Sequence, residues 1–299
     1  MSRIYILLLI SAIALFNSCE DEIELDSRFE NPELVVEAWL NDQSEPQTII
    51  LSQTQDFYDN RLPTPVENAQ IVVSVLEDSM PVGQPFIFEH QDSGRYVWTP
   101  QAGQALGEPG TVFGLGIQIG EDQYAAVSEM SRTAIIDSLS FQFEEEQLGL
   151  DEGLYAQIYA RDQVGIGDAY LIRSTINDTL LIRPSELNVA FDATFSPGTN
   201  TDGIAFIFPI RFSINKTDDD GAVVPLQSGE TVAVEITGIS QEAYLFLRIV
   251  NEQVNNGQSG LFDLPVANSP GNIFNLDSEE PVLGFFNVGA VARISRTVE

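Results

Sequence analysis

Apolar and polar positions alternate with a period of two along most of this chain, the spacing of strands that bury one face and wet the other. In VFGLGIQI, Phe113, Leu115, Ile117 and Ile119 share one face, opposite Val112, Gly114, Gly116 and Gln118. QIVVSV groups Ile71, Val73 and Val75, and TVAVEI groups Val232, Val234 and Ile236. The longest run, GIAFIFPIRFSIN, puts Ile204, Phe206, Phe208, Ile210, Phe212 and Ile214 on one side and Pro209 on the other. Proline has no N–H to give a ladder, so this run reads as an edge strand or a bulged one. Further strands are expected at 34–40, 47–52, 95–99, 138–143, 154–160 and 169–176. Turns are supplied by DSG at 92–94, GED at 120–122, DDDG at 218–221 and QSGE at 227–230.

One segment breaks the alternation. SQEAYLFLRIVNEQVNNG opens on Ser240 as an N-cap, carries Glu242 in its first turn and ends at Asn256-Gly257. Leu245, Phe246, Ile249 and Val250 fit one helical face, and the plain role for such a helix, near 240–256, is to cover a sheet. The expected fold is therefore mainly β. An immunoglobulin-like β-sandwich at 32–130 is followed by a second β-rich domain at 131–299 that carries the helix. No internal repeat relates the two halves.

The front of the chain has a different character. Arg3 precedes an apolar run at 4–16, which falls short of the roughly 20 residues needed to span a bilayer but suits an export signal. The run ends near Cys19, the only cysteine of the chain. Asn17, at −2 to a cut before Cys19, is looser than the small residue usual in a lipoprotein box. Phe16, at −3, does not match the small residue preferred by ordinary signal cleavage, and a solitary thiol in an exported protein has nothing to pair with. Lipoprotein processing accounts for both: residues 1–18 are removed, and Cys19 carries the acyl chains, palmitate among them, that anchor the protein. Glu20, Asp21, Glu22, Glu24 and Asp26 then make 19–31 an acidic tether.

Charge narrows the partners. The chain has 45 acidic and 13 basic residues, a formal net charge of −32, and Lys216 is its sole lysine. Such a field disfavours nucleic acids and anionic membrane surfaces. With 43% hydrophobic residues there is ample material for a core, and wholesale disorder is excluded.

Candidate chemistry is sparse. His90, in FEHQDSG, is the single histidine, and one histidine cannot build a multi-histidine metal site. Asp218, Asp219 and Asp220 of DDDG offer oxygen ligands but lack the spacing and closing Glu of a calcium loop, so a hairpin turn is the better reading. No nucleophile elbow or phosphate-binding glycine loop is present. Carboxylate pairs of the kind that hydrolyse glycosides are not marked out among so many acids. Trp39, Tyr96, Trp98, Phe206, Phe208 and Phe212 could stack on sugars, but their place on alternating faces favours the core. No cofactor is implied.

The chain resembles a family of Bacteroidota lipoproteins, domain-of-unknown-function family 4249. The resemblance rests on the cysteine-plus-acid start, LVVEAWLND at 34–42, PQTIILSQTQDF at 46–57, VENAQIVVSV at 66–75 and SGRYVWTP at 93–100. It continues through GTVFGLGIQIGEDQYAA at 110–126, ISQEAYLFLRIVNEQ at 239–253, GNIFN at 271–275 and LGFFNVGAV at 283–291. Phe113 stands where the family has tyrosine. The resemblance implies an outer-membrane lipoprotein displayed to the exterior and encoded beside a TonB-dependent transporter, which becomes the expected partner. It carries no catalytic residues. Asp-Ser/Thr-apolar triplets, which Bacteroidota O-glycosylate, mark Ser79, Ser138 and Thr179 as candidate modification sites. Three functions follow: an accessory or ligand-capturing subunit of an uptake system, a structural or adhesive surface module, and a carboxylate-based hydrolase.

Overall fold

The computed structural model describes residues 32–55, 59, 61–197, 201–254, 269 and 271–299. Cys19, the signal segment and the acidic tether lie outside these. In chain order the first strands are β1 (Leu34–Asn41), β2 (Gln47–Gln53), β3 (Ala69–Glu77), β4 (Met80–Asp92), β5 (Arg95–Trp98), β6 (Val112–Ile119) and β7 (Asp122–Glu129). Then come β8 (Ile135–Glu144), β9 (Gly153–Arg161), β10 (Ala169–Ile176), β11 (Thr179–Leu180), β12 (Asn188–Phe191), α1 (Phe208–Phe212) and β13 (Thr231–Ile239). Helix α2 (Gln241–Val254), β14 (Phe274–Asn275), β15 (Leu283–Gly289) and β16 (Val291–Thr297) complete the order. The fold is mainly β, as the alternation predicts.

The first unit is a nine-stranded sheet in the order β14-β7-β6-β3-β4-β5-β2-β1-β15. It folds over at β4, whose residues 80–88 pair with β3 and whose residues 89–92 pair with β5 past a register shift. A strand that changes partners through a bulge is how a sheet turns a sandwich corner. Phe113, Leu115 and Ile117 of β6, Ile71 and Val73 of β3, and Val36, Ala38 and Leu40 of β1 meet in one buried cluster. Asp78 and Ser79 both take positive φ, 48° and 65°, and close the β3–β4 hairpin in two residues. The Tyr96 hydroxyl, buried beside this core, accepts a hydrogen bond from Ala69 N at 2.9 Å and donates to Val66 O at 3.0 Å.

The first sheet is completed from the far end of the chain. β15 lies parallel to β1 from Val35↔Leu283 to Asn41↔Gly289, and β14 pairs with β7. The C-terminal strands thus cross the expected division at 130/131. β15 lacks alternation because both its faces are buried: Phe286 and Val288 enter the sandwich core, while Phe285 enters a separate cluster beneath α2.

The second unit packs a sheet in the order β11-β10-β13-β16, with β12 on the free side of β10, against the β8–β9 ribbon. β10 is buried on both faces: Tyr170 and Ile172 join the core under β8–β9, and Ala169 and Leu171 lie under α2. Ser240 caps α2 as expected, its Oγ accepting Ala243 N at 3.0 Å. The buried face is Ala243, Tyr244 and Leu247, with Phe246 beside it, whereas Leu245 is exposed. The helix is therefore rotated from the expected face, because Tyr244 packs edge-on against Phe191 of β12.

The strand expected over 203–215 does not form. The segment runs along the free edge of β9, where Asp162 N donates to Ile204 O at 3.0 Å and Phe206 N to Ala160 O at 2.9 Å. Pro209 then falls in the first turn of α1, the position where a missing N–H costs nothing. Past the helix, the Asn215 side chain restores the lost rung. Its Oδ1 accepts Ala156 N at 2.8 Å and its Nδ2 donates to Ala156 O at 2.9 Å.

Candidate functional site

The two units meet where three backbone segments cross at close range. Ser131 N donates to Val288 O at 3.1 Å and Ala290 N to Ser131 O at 2.8 Å, while Gly238 N donates to Ala290 O at 2.9 Å. A Cβ at Gly289 would lie 1.8 Å from Gly238 O, and one at Gly238 would lie 2.2 Å from Arg132 O. Only glycine permits this crossing. Trp39 and Phe246 both pack against Phe285, at 5.9 and 5.1 Å between ring centroids, and add an apolar joint.

Beside the crossing opens a cleft of about 750 Å³, within the size range of small-molecule sites and at the kind of inter-unit position they favour. The end of β7, residues 130–132, the β9–β10 loop and the first turn of α2 line it. Arg132 is fixed in its wall. Its Nε lies 2.9 Å from Asp168 Oδ1, and its Nη2 donates to Asp168 Oδ2 at 2.6 Å and to Gly165 O at 3.0 Å. The Asp168 carboxylate hydrogen-bonded to it holds the guanidinium firmly protonated, its pKa raised further.

Aspartates pin the loop that bears Asp168. Asp192 Oδ1 accepts Gly167 N at 2.8 Å, and Asp202 Oδ1 accepts Gly165 N at 2.7 Å. Asp162 accepts the Tyr170 hydroxyl and, through its other oxygen, Gly203 N at 2.9 Å. Burial pushes the Asp162 carboxyl up, against the lowering effect of these bonds, and burial likewise raises the Tyr170 phenol. These acids hold backbone. The cleft thus offers fixed donors, acceptors and charges for recognition, with Glu129 and Glu242 exposed at its rim.

The residues singled out from sequence are dispersed. Ser79, Ser138 and Thr179 are all exposed, Ser79 in the β3–β4 turn, Ser138 on β8 and Thr179 just after the Asn177-Asp178 turn. His90 is exposed on β4, its ring 5.1 Å from that of Tyr96. DDDG is a turn closed by Asp218 Oδ1, which accepts Asp220 N and Ala222 N, while Asp219 pairs with Arg183 at 2.9 Å. Among the described residues no group of three or more His, Cys, Asp or Glu is placed to hold a metal. Tyr96, Trp98 and Phe206 are core residues, as alternation suggests, and Trp39 is half-buried at the joint. Phe208 departs from that reading at 48% exposure, because α1 turns it outward. Arg132 and Asp168 escaped sequence analysis, since a pair 36 residues apart leaves no local pattern.

The family model described as Domain of unknown function (DUF4249) matches residues 20–295. No curated protein sequence matches the chain. Among solved structures, the crystal structure of the FN1–FN3 domains of chicken CNTN1 is similar at 9% identity and a TM-score of 0.24, covering 70% of this chain. The chain spans 61% of that structure's length.

Proposed function

The chain belongs to the DUF4249 family, and from that premise we propose that it is a surface-exposed outer-membrane lipoprotein, anchored through Cys19, that captures a ligand for a TonB-dependent uptake system without covalent chemistry. The observation that carries the reading is the cleft of about 750 Å³ at the joint of the two units. Its central charges, Arg132 and Asp168, neutralise each other, and the neighbouring aspartates hold loop backbone, which suits recognition better than proton transfer.

The test is an affinity pull-down of the full lipidated protein from gently solubilised outer membranes, read by mass spectrometry. A stoichiometric TonB-dependent barrel supports the proposal. Recovery of the lipoprotein alone sinks the transporter partnership and shifts the reading to a free-standing adhesive or structural surface module. Radiolabelled palmitate should enter the wild type and be absent from Cys19→Ser; equal labelling would remove the anchor assignment.

A further inference from the structure

On the face of β9 opposite the core, helix α1 builds a surface that the cleft does not use. Phe208 and Phe212, one helical turn apart, lie 5.5 Å between centroids at 23°, and Phe212 rests 5.4 Å from the buried ring of Tyr155. The Arg211 guanidinium lies 4.9 Å above the Tyr159 ring and 5.8 Å from that of Phe208. Alongside, Gln142 Nε2 donates to the Tyr159 hydroxyl at 2.8 Å and Gln157 Nε2 donates to Gln142 Oε1 at 2.9 Å.

Arg211 is the anomaly. Among the described residues Arg95, Arg211 and Arg296 form no ion pair, but Arg296 donates to Leu139 O, and of the three only Arg211 has a buried nitrogen left without a partner. Its Nε is buried without a hydrogen-bond partner, and so is Ser140 Oγ on the neighbouring strand. In a chain of net charge −32, where carboxylates are never scarce, this guanidinium is held by aromatic rings with its donors uncommitted.

We propose that this face binds an acidic saccharide, one bearing a uronate carboxylate or a sulfate ester, as a recognition surface separate from the cleft. A pyranose presents an apolar C–H face, which packs on a flat exposed ring such as Phe208. Its hydroxyls meet the amide and phenol groups of Gln142 and Tyr159. Its acidic group receives the Arg211 fork, the donor geometry that matches carboxylate and sulfate best. Stacking fixes the guanidinium before the ligand arrives, so little side-chain freedom is lost on binding. Glu144 and Asp151 act on the neighbouring Tyr155, so attraction by net charge is ruled out and the acidic group has to be met directly by the Arg211 donors. The inference deepens the ligand-capture reading but does not need the transporter.

The test is the mobility of the purified full-length protein, kept in mild detergent, in native gels cast with polygalacturonate, dextran sulfate, neutral dextran or polyglutamate. Retardation by polygalacturonate or dextran sulfate, with neutral dextran and polyglutamate inert, is the expected result. Whichever polymer acts tells carboxylate from sulfate. Arg211→Gln should weaken retardation at least tenfold, Phe208→Ala comparably, while Phe208→Tyr and the remote Arg248→Gln retain it. Phe208 is half exposed, so its alanine variant keeps the test meaningful should Arg211→Gln prove unstable. Equal retardation by dextran, stronger retardation by polyglutamate, no retardation at all, or full retardation of both Arg211→Gln and Phe208→Ala overturns the proposal. A protein that binds the acidic polymer yet recovers no barrel from membranes loses the transporter reading and keeps this one.

Discussion

The segments VFGLGIQI and IAFIFPIRFSIN carry the same pattern, an apolar residue at every second position, and only the first is a strand. In β6 the buried residues are Phe113, Leu115 and Ile117, two apart. In the second segment they are Phe206, Ile210 and Ile214, four apart, while Ile204 and Phe208 face solvent. A spacing of four belongs both to alternation and to one side of a helix, so the pattern alone does not separate them. Proline does. β6 sits between β3 and β7 and gives every N–H to a ladder, a position closed to proline. Pro209 stands at the edge of β9, where a short helix absorbs its missing donor. Alternation thus reports which residues are apolar and near a core; whether they form a ladder depends on every N–H the ladder needs being present.

The sharpest way to widen the difference is to delete one aromatic from each segment. Phe113 is fully buried, and Phe113→Ala should cost about 3–5 kcal/mol in urea unfolding. Phe208→Ala, at a half-exposed position, should cost about 1 kcal/mol or less. Equal losses would mean that α1 packs its outward face as tightly as β6 packs its inward one.

Much of the fold was legible because most strands bury one face. β1, β2, β3, β5, β6, β8, β9, β10 and β13 all lie where alternation placed them. One strand was missed because of its burial. LGFFNVG, in β15, is sandwiched on both faces, so its apolar residues show no period of two, and even Asn287 within it is buried. Its pairing partner β1 lies some 250 residues upstream, and nothing local announces that pairing. The cleft was invisible because its lining is scattered: Arg132, Asp168, Ser240 and Asn272 meet only in the fold. The Arg211 stack was nearly legible. Phe208, Arg211 and Phe212 stand at helical spacing, but they were hidden inside a run whose alternation looked decisive.

Asn215 offers the next test. Its side chain occupies the place of a strand rung on Ala156, with both atoms buried. Asn215→Ala leaves the Ala156 N–H and C=O unpaired in the core, and each orphaned group costs about 1–3 kcal/mol, giving about 2–6 kcal/mol in all. Hydrogen exchange at Ala156 should accelerate accordingly. A loss below about 1 kcal/mol would show that this edge needs no substitute for a strand.

Just past the segment, Glu186 ties Thr217 in place. Its Oε1 accepts Thr217 N at 2.9 Å and its Oε2 accepts Arg183 N at 2.8 Å. Burial alone would raise this carboxyl, but the hydrogen bonds from Thr217 and Arg183 outweigh it and hold its pKa below the ordinary 4.5. A carboxyl lowered in the folded state contributes stability that is present above the unfolded value and lost as pH falls through the folded one. The stability gap between wild type and Glu186→Gln should therefore be full at pH 7 and shrink below about 4.5. A gap that stays constant down to pH 3 would assign the effect to packing and leave the charge no role.

The smallest expected effect bears most directly on why the two segments differ. Pro209 sits in the first turn of α1 after Ile207, whose φ of −62° and ψ of 157° suit a residue near the start of a helix. If proline merely fits the helix that packing imposes, Pro209→Ala removes only its restraint on the unfolded chain and costs about 0.4–1 kcal/mol. On that reading the packing of Phe206, Ile210 and Ile214 holds the turn without the proline, and α1 should survive. Chemical shifts of residues 208–212 would then stay helical. If instead they turn extended and new exchange protection appears along β9, the proline is what keeps this segment from becoming the strand its pattern describes. The outward set of Phe208, Arg211 and Phe212 would then exist only because one N–H is missing.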